Sequence, residues 1–180
     1  MPTPASFDYN NIAKKKAQKG LGNTVYFVPT DRVATFGQIN STSSTDPGMT
    51  VTVDTDHLFD ETEGFRTGYT TQDYSQLSGD TTGEVGSRSV EFKAEVFIPG
   101  NDAELSEFAG NAINEDFLVL LKDPNCENGQ VMQLGTHCSP AKFSGKFTSG
   151  TIKDGKKGWM FEIEYTGNLL FYTGDITLKP

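Results

Sequence analysis

The clearest pattern along the chain is a two-residue alternation of large apolar and polar positions, repeated in several short stretches. In GWMFEIEYTG, residues 158–167, Trp159, Phe161, Ile163 and Tyr165 fall on one side of an extended backbone, and Met160, Glu162 and Glu164 on the other. SVEFKAEVFIPG, from Ser89, repeats the arrangement. Val90, Phe92, Ala94, Val96 and Ile98 face one way, Glu91, Lys93, Glu95 and Phe97 the other, and Pro99-Gly100 ends the run. A period of two is the signature of a half-buried strand. NTVYFVP adds a strand at Thr24 to Val28 closed by Pro29, Val33 to Ile39 continues it, and MTVTVDT places Met49, Val51 and Val53 inward. Further strands are predicted at Phe117 to Lys122, Gln130 to Thr136, Ala141 to Thr148, Trp159 to Tyr165 and Phe171 to Leu178, with the Asp-Gly of IKDGKKG marking a hairpin turn.

One segment keeps a helical period instead. In NDAELSEFAGNAIN, Asn101 or Asp102 caps the start and Glu104 occupies the first turn. Leu105, Phe108, Ala109, Ala112 and Ile113 share a face, so this helix should lie across the sheet. Residues 55–89 keep neither period: they are acidic at first, then rich in Gly, Thr, Ser and Tyr, with isolated Leu58, Phe59, Phe65, Tyr69, Tyr74 and Leu77. So long a stretch without regular structure suits a loop ordered against another chain, with Phe59, Phe65, Tyr69 and Tyr74 as its docking aromatics.

The order of elements predicts a mainly β fold with one α-helix: an antiparallel β-sandwich or partial barrel flanked by a helix. A length of 180 residues fits one domain, here 21–180, behind an arm at 1–20. The longest apolar run, Phe117 to Leu121, suits a strand, far short of the roughly 20 residues that span a bilayer. The opening MPTPASFDYNN lacks the pattern of a secretion signal, so assembly in a cytoplasm is expected. Under that expectation the sequon Asn40-Ser41-Thr42 carries no weight, and Cys126 and Cys138 read as free thiols, with their pairing left open.

Charge divides the chain. Residues 1–20 carry Lys14, Lys15, Lys16 and Lys19 against Asp8, a balance of +3, so the remainder holds −12 of the total −9. An acidic body argues against a groove that grips nucleic acid, because such binding neutralises phosphates with Lys and Arg.

The clusters that suggest chemistry fail on spacing. Asp54, Asp56, His57, Asp60, Glu61 and Glu63 crowd DTDHLFDETEG, yet a calcium loop needs an oxygen ligand where Leu58 stands and a glycine where Phe59 stands. His57, Cys126, His137 and Cys138 match no zinc spacing, and nothing sets a histidine beside either thiol for nucleophilic catalysis. GLGNTV places Val25 where a dinucleotide loop needs its third glycine, and Phe147 follows Gly145-Lys146 where a phosphate loop needs Ser or Thr. Glu162 and Glu164 share one strand, whereas glycosidase carboxylates face each other across a cleft. No catalytic, cofactor or metal residue is assigned, and Trp159 reads as core.

The stretches GLGNTVYFVPTDRVATFGQI and GKKGWMFEIEYTGNLLFYTGDITL, with the element order between them, resemble the major tail tube proteins of long-tailed bacteriophages. Contractile injection tubes of bacteria share that architecture. The resemblance implies a β-sandwich completed by ring assembly, in which hexameric rings stack into a tube that passes double-stranded DNA. It brings no enzyme activity and no cofactor. It implies a virion protein built in the host cytoplasm, with copies of itself and other tail proteins as partners and no membrane. On that expectation Glu91, Glu95, Glu162 and Glu164 line the bore, with Lys93 a departure from the pattern. Lys14, Lys15, Lys16 and Lys19, or the loop at 55–89, then meet an adjacent ring. The alternatives are another virion part, such as a tail terminator or head decoration protein, and a carbohydrate-binding β-sandwich.

Overall fold

Phe117 to Leu121 form the middle of a strand whose side chains are shielded from solvent on both faces. A strand without a polar side must be covered twice, and the architecture follows from that requirement. The structure, a computed structural model, describes residues 20–39, 48–71, 74–124, 129–151 and 155–180. In chain order its strands are β1 (Thr24–Pro29), β2 (Val33–Thr35), β3 (Thr52–Val53), β4 (Leu58–Phe59), β5 (Arg66–Tyr69), β6 (Gln76–Thr82), β7 (Ser89–Pro99), β8 (Asp116–Lys122), β9 (Val131–Leu134), β10 (Ala141–Thr148), β11 (Gly158–Thr166) and β12 (Leu170–Tyr172). Among the described residues a single α-helix, α1 (Ala103–Ala112), stands between β7 and β8.

The main sheet splits at β8. One edge of that strand carries β1, with Phe27 opposite Val119. The other edge is shared: Val119 to Lys122 pair with β9, while Phe117 and Asp116 pair with β10. Gly135 makes the split possible. It turns the chain with φ +99°, and a Cβ there would lie 2.6 Å from the Phe117 carbonyl oxygen. One limb then runs β9, β12, β3 and the other β10, β11, β7, β6. On the far side β5 pairs with β1, and Thr71 just beyond it donates its amide to the Phe97 carbonyl of β7 at 3.0 Å. The second limb is thereby drawn back toward β1, so the sheet curls into a partial barrel.

Two cores result. Phe117, Val119 and Leu121 face inward with Val25, Phe27, Val96, Phe143, Phe161 and Ile163. Leu118 and Leu120 face the opposite way with Val28, Val53, Phe65, Leu170 and Tyr172. The helix closes the first core. Asp102 caps it by accepting from the Leu105 amide at 2.7 Å, and Phe108 sits among Phe27, Phe117, Phe143 and Phe161 with ring centroids 4.8 to 6.1 Å away.

The mainly β fold with its flanking helix is as expected, and several details are corrected. The sheet is mixed, because β12 runs parallel to β3. Residues 55–89 contain β4, β5 and β6 rather than one irregular loop. Of these, β6 lacks an apolar stripe because Phe92 of β7 fills the space for it: a Cβ on Gly79 would lie 2.6 Å from that ring. Met49 to Val51 form a 3-10 turn rather than a strand, yet Val53 is buried and Val51 packs half-buried against the second core. Ile113 lies past the end of α1 and is exposed.

Phe117→Ala should destabilise the fold by about 3–5 kcal/mol, the range for emptying an aromatic site. Ile113→Ala should stay within about 0.5 kcal/mol, as surface changes do. Urea unfolding midpoints of the two variants check both values.

Candidate assembly surface

The limb β10, β11, β7, β6 buries one face in the first core and leaves the other outside. Pairing fixes which side chains share that outer face. Lys142, Glu164, Lys93 and Ser78 form one row across the four strands, and Ser144, Glu162, Glu95 and Gln76 form the next. Asp80 stands opposite Glu91, and Asp116 opposite Lys142. Glu91, Glu95, Glu162 and Glu164 are thus on one surface, as their alternation implied. They share it with Lys93, Lys142 and Lys146, so the surface is mixed in charge rather than purely anionic. Five carboxylates of the limb, with Asp116 of β8 beside them, outnumber these three lysines and the Lys156 that lies over Tyr74, which leaves the surface acidic.

Lys93 is the counter-ion at the centre. Glu162 and Glu95 sit directly opposite each other, a like-charge pairing that costs stability. The Lys93 ammonium lies 2.5 Å from Glu162, and Gln76 donates to Glu95 at 2.6 Å. The hydrogen bond to Glu162, then the fields of Glu162, Glu95 and Glu164, raise the Lys93 pKa above the ordinary lysine value. Lys142 pairs with Asp116 at the sheet split.

Higher on the same face the surface turns apolar. Phe97 points outward opposite Met160 yet is buried, because Tyr74 packs on it with centroids 6.1 Å apart. The Lys156 ammonium lies 3.3 Å above the Tyr74 ring. On the inner face of the same strand Trp159 is half-buried against the first core between Phe147 and Phe161, and its buried indole N–H has no acceptor among the described residues.

Among the described residues, both ends of this limb are open backbone edges. There β6 pairs only with β7, and residues 143–148 of β10 pair only with β11. Unpaired edges are templates for another strand.

The remaining predicted residues are dispersed. Tyr69 and Tyr74 are 72% and 46% exposed and available for contact. Phe65 is not: at 1% exposure it belongs to the second core, and Phe59 packs half-buried against it at 5.2 Å. Lys14, Lys15, Lys16, Lys19, Cys126 and the sequon lie outside the described residues. The acidic stretch is tied into the fold. Asp56 accepts from the Asp175 amide at 2.8 Å, and Glu63 meets Lys179 at 3.1 Å and Arg32 at 3.6 Å. No cluster of three metal-type ligands occurs among the described residues, and no helix there is long and apolar enough to cross a membrane.

His57 is the residue whose role the sequence least suggested. It is 1% exposed, stacked on Tyr172 at 4.9 Å. The Gly37 amide donates to its Nδ1 at 3.0 Å, which leaves Nε2 to donate to Gln133 Oε1 at 3.1 Å. Burial lowers its pKa, against the raising influences of the Gln133 hydrogen bond and the Asp56 charge.

No protein-family model matches the chain, and neither the curated proteins nor the solved structures contain a significant match to it.

Because the folded state holds His57 neutral, the unfolded chain binds the extra proton. The stability this confers is complete above about pH 6.5, the unfolded value, and falls with pH below it, by at most about 1.4 kcal/mol per pH unit until the lowered folded value is reached. Urea midpoints at pH 7.5 and 5.5 should differ in the native chain. The difference should shrink in His57→Gln, which cannot ionise.

Proposed function

We propose that this chain is a structural subunit that assembles into stacked rings forming a tube for DNA passage, of the kind found in phage tails. The observation that carries the reading is the outer limb: a four-stranded sheet with an edge left open by the described residues at each end and an acidic outward face. Its strands alternate in direction from β10 to β6. With an even number of alternating strands, β6 of one copy meets β10 of the next in antiparallel sense when copies are related by rotation about an axis along the strands. The charged faces then continue on the same side. Four strands at about 4.8 Å add ~19 Å of circumference per copy, so six copies give a cylinder ~37 Å across between backbones. That width admits a DNA duplex once side chains are allowed for.

Acidic residues suit the task. A wall of unpaired lysines would bind phosphate by releasing counterions, and the duplex would stall.

Purified protein should form rings and tubes by negative-stain microscopy; a monomer that persists at high concentration overturns the reading. In assembled tubes, Glu162→Lys with Glu164→Lys should preserve rings yet retain duplex DNA in a filter assay near 0.15 M salt, with retention lost steeply as salt rises. Native tubes should not retain it. Equal behaviour of the two would place these side chains away from the bore.

A further inference from the structure

The hairpin joining β6 to β7 and the pocket beside α1 occupy opposite ends of one strand axis. At the first end, Ser87 donates its amide to the Glu84 carbonyl at 3.0 Å, and Gly86 takes φ +101° at the third position of that turn. The left-handed glycine fixes a tight corner, and Val85 stands on it, 87% exposed. Arg88 follows, exposed and without an ion pair among the described residues. The tip projects past the rest of the limb, since the last β11 pairing joins Thr166 to Glu91 and Gly167 reaches only as far as the Val90 carbonyl.

At the other end β7 runs through Pro99-Gly100 into α1. Between the helix, the end of β1 and the start of β5 lies a cavity of about 450 Å³. Its floor is Phe27, Phe108 and Phe117, and its rim carries Glu104 and Glu107 of the helix with Glu115 just beyond the helix end. Of the cations on the rim, Arg32 is already paired with Asp31 and Glu63, each at 3.6 Å, which leaves Arg66 facing the three glutamates.

We propose that the hairpin tip of one copy seats in the α1 pocket of a copy in the adjoining ring, with Val85 on the aromatic floor and Arg88 against Glu104 and Glu107. This rests on the tube reading and names the contact that stacks the rings. Three features select the occupant. The tip offers an apolar corner and an unpaired guanidinium, and the pocket offers an apolar floor and carboxylates in excess. The turn is closed by its own hydrogen bond, so little ordering is lost on docking. A knob at one end and a socket at the other also make a head-to-tail contact, which propagates into a filament instead of closing on itself.

The test uses the full chain with exposed positions only. Arg88→Glu, and separately Glu104→Arg with Glu107→Arg, should leave ring formation by sedimentation unchanged and shorten tubes in negative stain at least tenfold. Combining all three reversals should restore tube length. With Cys126 and Cys138 replaced by Ser, Arg88→Cys with Glu107→Cys should give a disulfide-linked ladder of chains in tubes and none in separated rings. Single reversals that stack like the native chain, or a combined variant that makes rings without regaining tubes, would overturn this contact and leave the tube reading standing. A native chain that forms no rings would remove both.

Discussion

The structure depends on burying five consecutive apolar side chains, Phe117 to Leu121, that offer no polar side. Each is worth roughly 1.5–3 kcal/mol when removed from water, but only if material covers both faces of the strand. The chain meets that demand by dividing the sheet at the strand itself. One limb curls round to seal Phe117, Val119 and Leu121, while the other limb and the segments about Val53 and Phe65 cover Leu118 and Leu120. Gly135 sits where the limbs part, and a side chain there would press on the Phe117 carbonyl oxygen. A residue with no Cβ and a left-handed φ is what lets β9 leave β8 while β10 joins it.

The same division creates the outer surface. A limb that seals a core with one face has the other free, so β10, β11, β7 and β6 can carry charge at every second position without burying any. The edges stay open for a related reason. β10 is held by β8 only through Ala141 and Lys142, and past that point the first core is closed by α1 rather than by another strand. Phe108 of α1 does the packing there, and a helix satisfies its own backbone, so it supplies no hydrogen bonds to an edge.

The sequence disclosed what is local. The charged faces of β7 and β11, the doubly apolar β8 and the capped α1 were all visible as periods in the chain, because each of these elements packs one stripe of its own side chains. It hid what depends on a distant partner. The strand β6 has Leu77, Gly79 and Thr81 as its inward positions, and only Phe92 across the ladder explains why glycine is there. Phe65 looked like one aromatic in a polar loop, although its burial comes from segments far along the chain, including the Leu178 bridge. By sequence His57 belongs to an acidic cluster, whereas in the fold Gly37, Gln133 and Tyr172 enclose it. A glycine-rich turn before a strong strand, as in TTGEVGSR, was the one local signal for the β6–β7 hairpin.

Lys93 shows how the charge pattern serves the sheet before it serves any function. An outer face of glutamates alone would set Glu162 against Glu95 and Glu91 against Asp80 with nothing between them. One ammonium placed beside Glu162 relieves the first of these, and its raised pKa records how firmly the neighbouring carboxylates hold its proton. A lysine so engaged is a poor phosphate ligand, because DNA would have to displace a charge-assisted hydrogen bond already formed. Its presence on the proposed wall of the bore is therefore compatible with free passage: the ammonium is neutralised within the sheet, and the excess carboxylates around it still face outward.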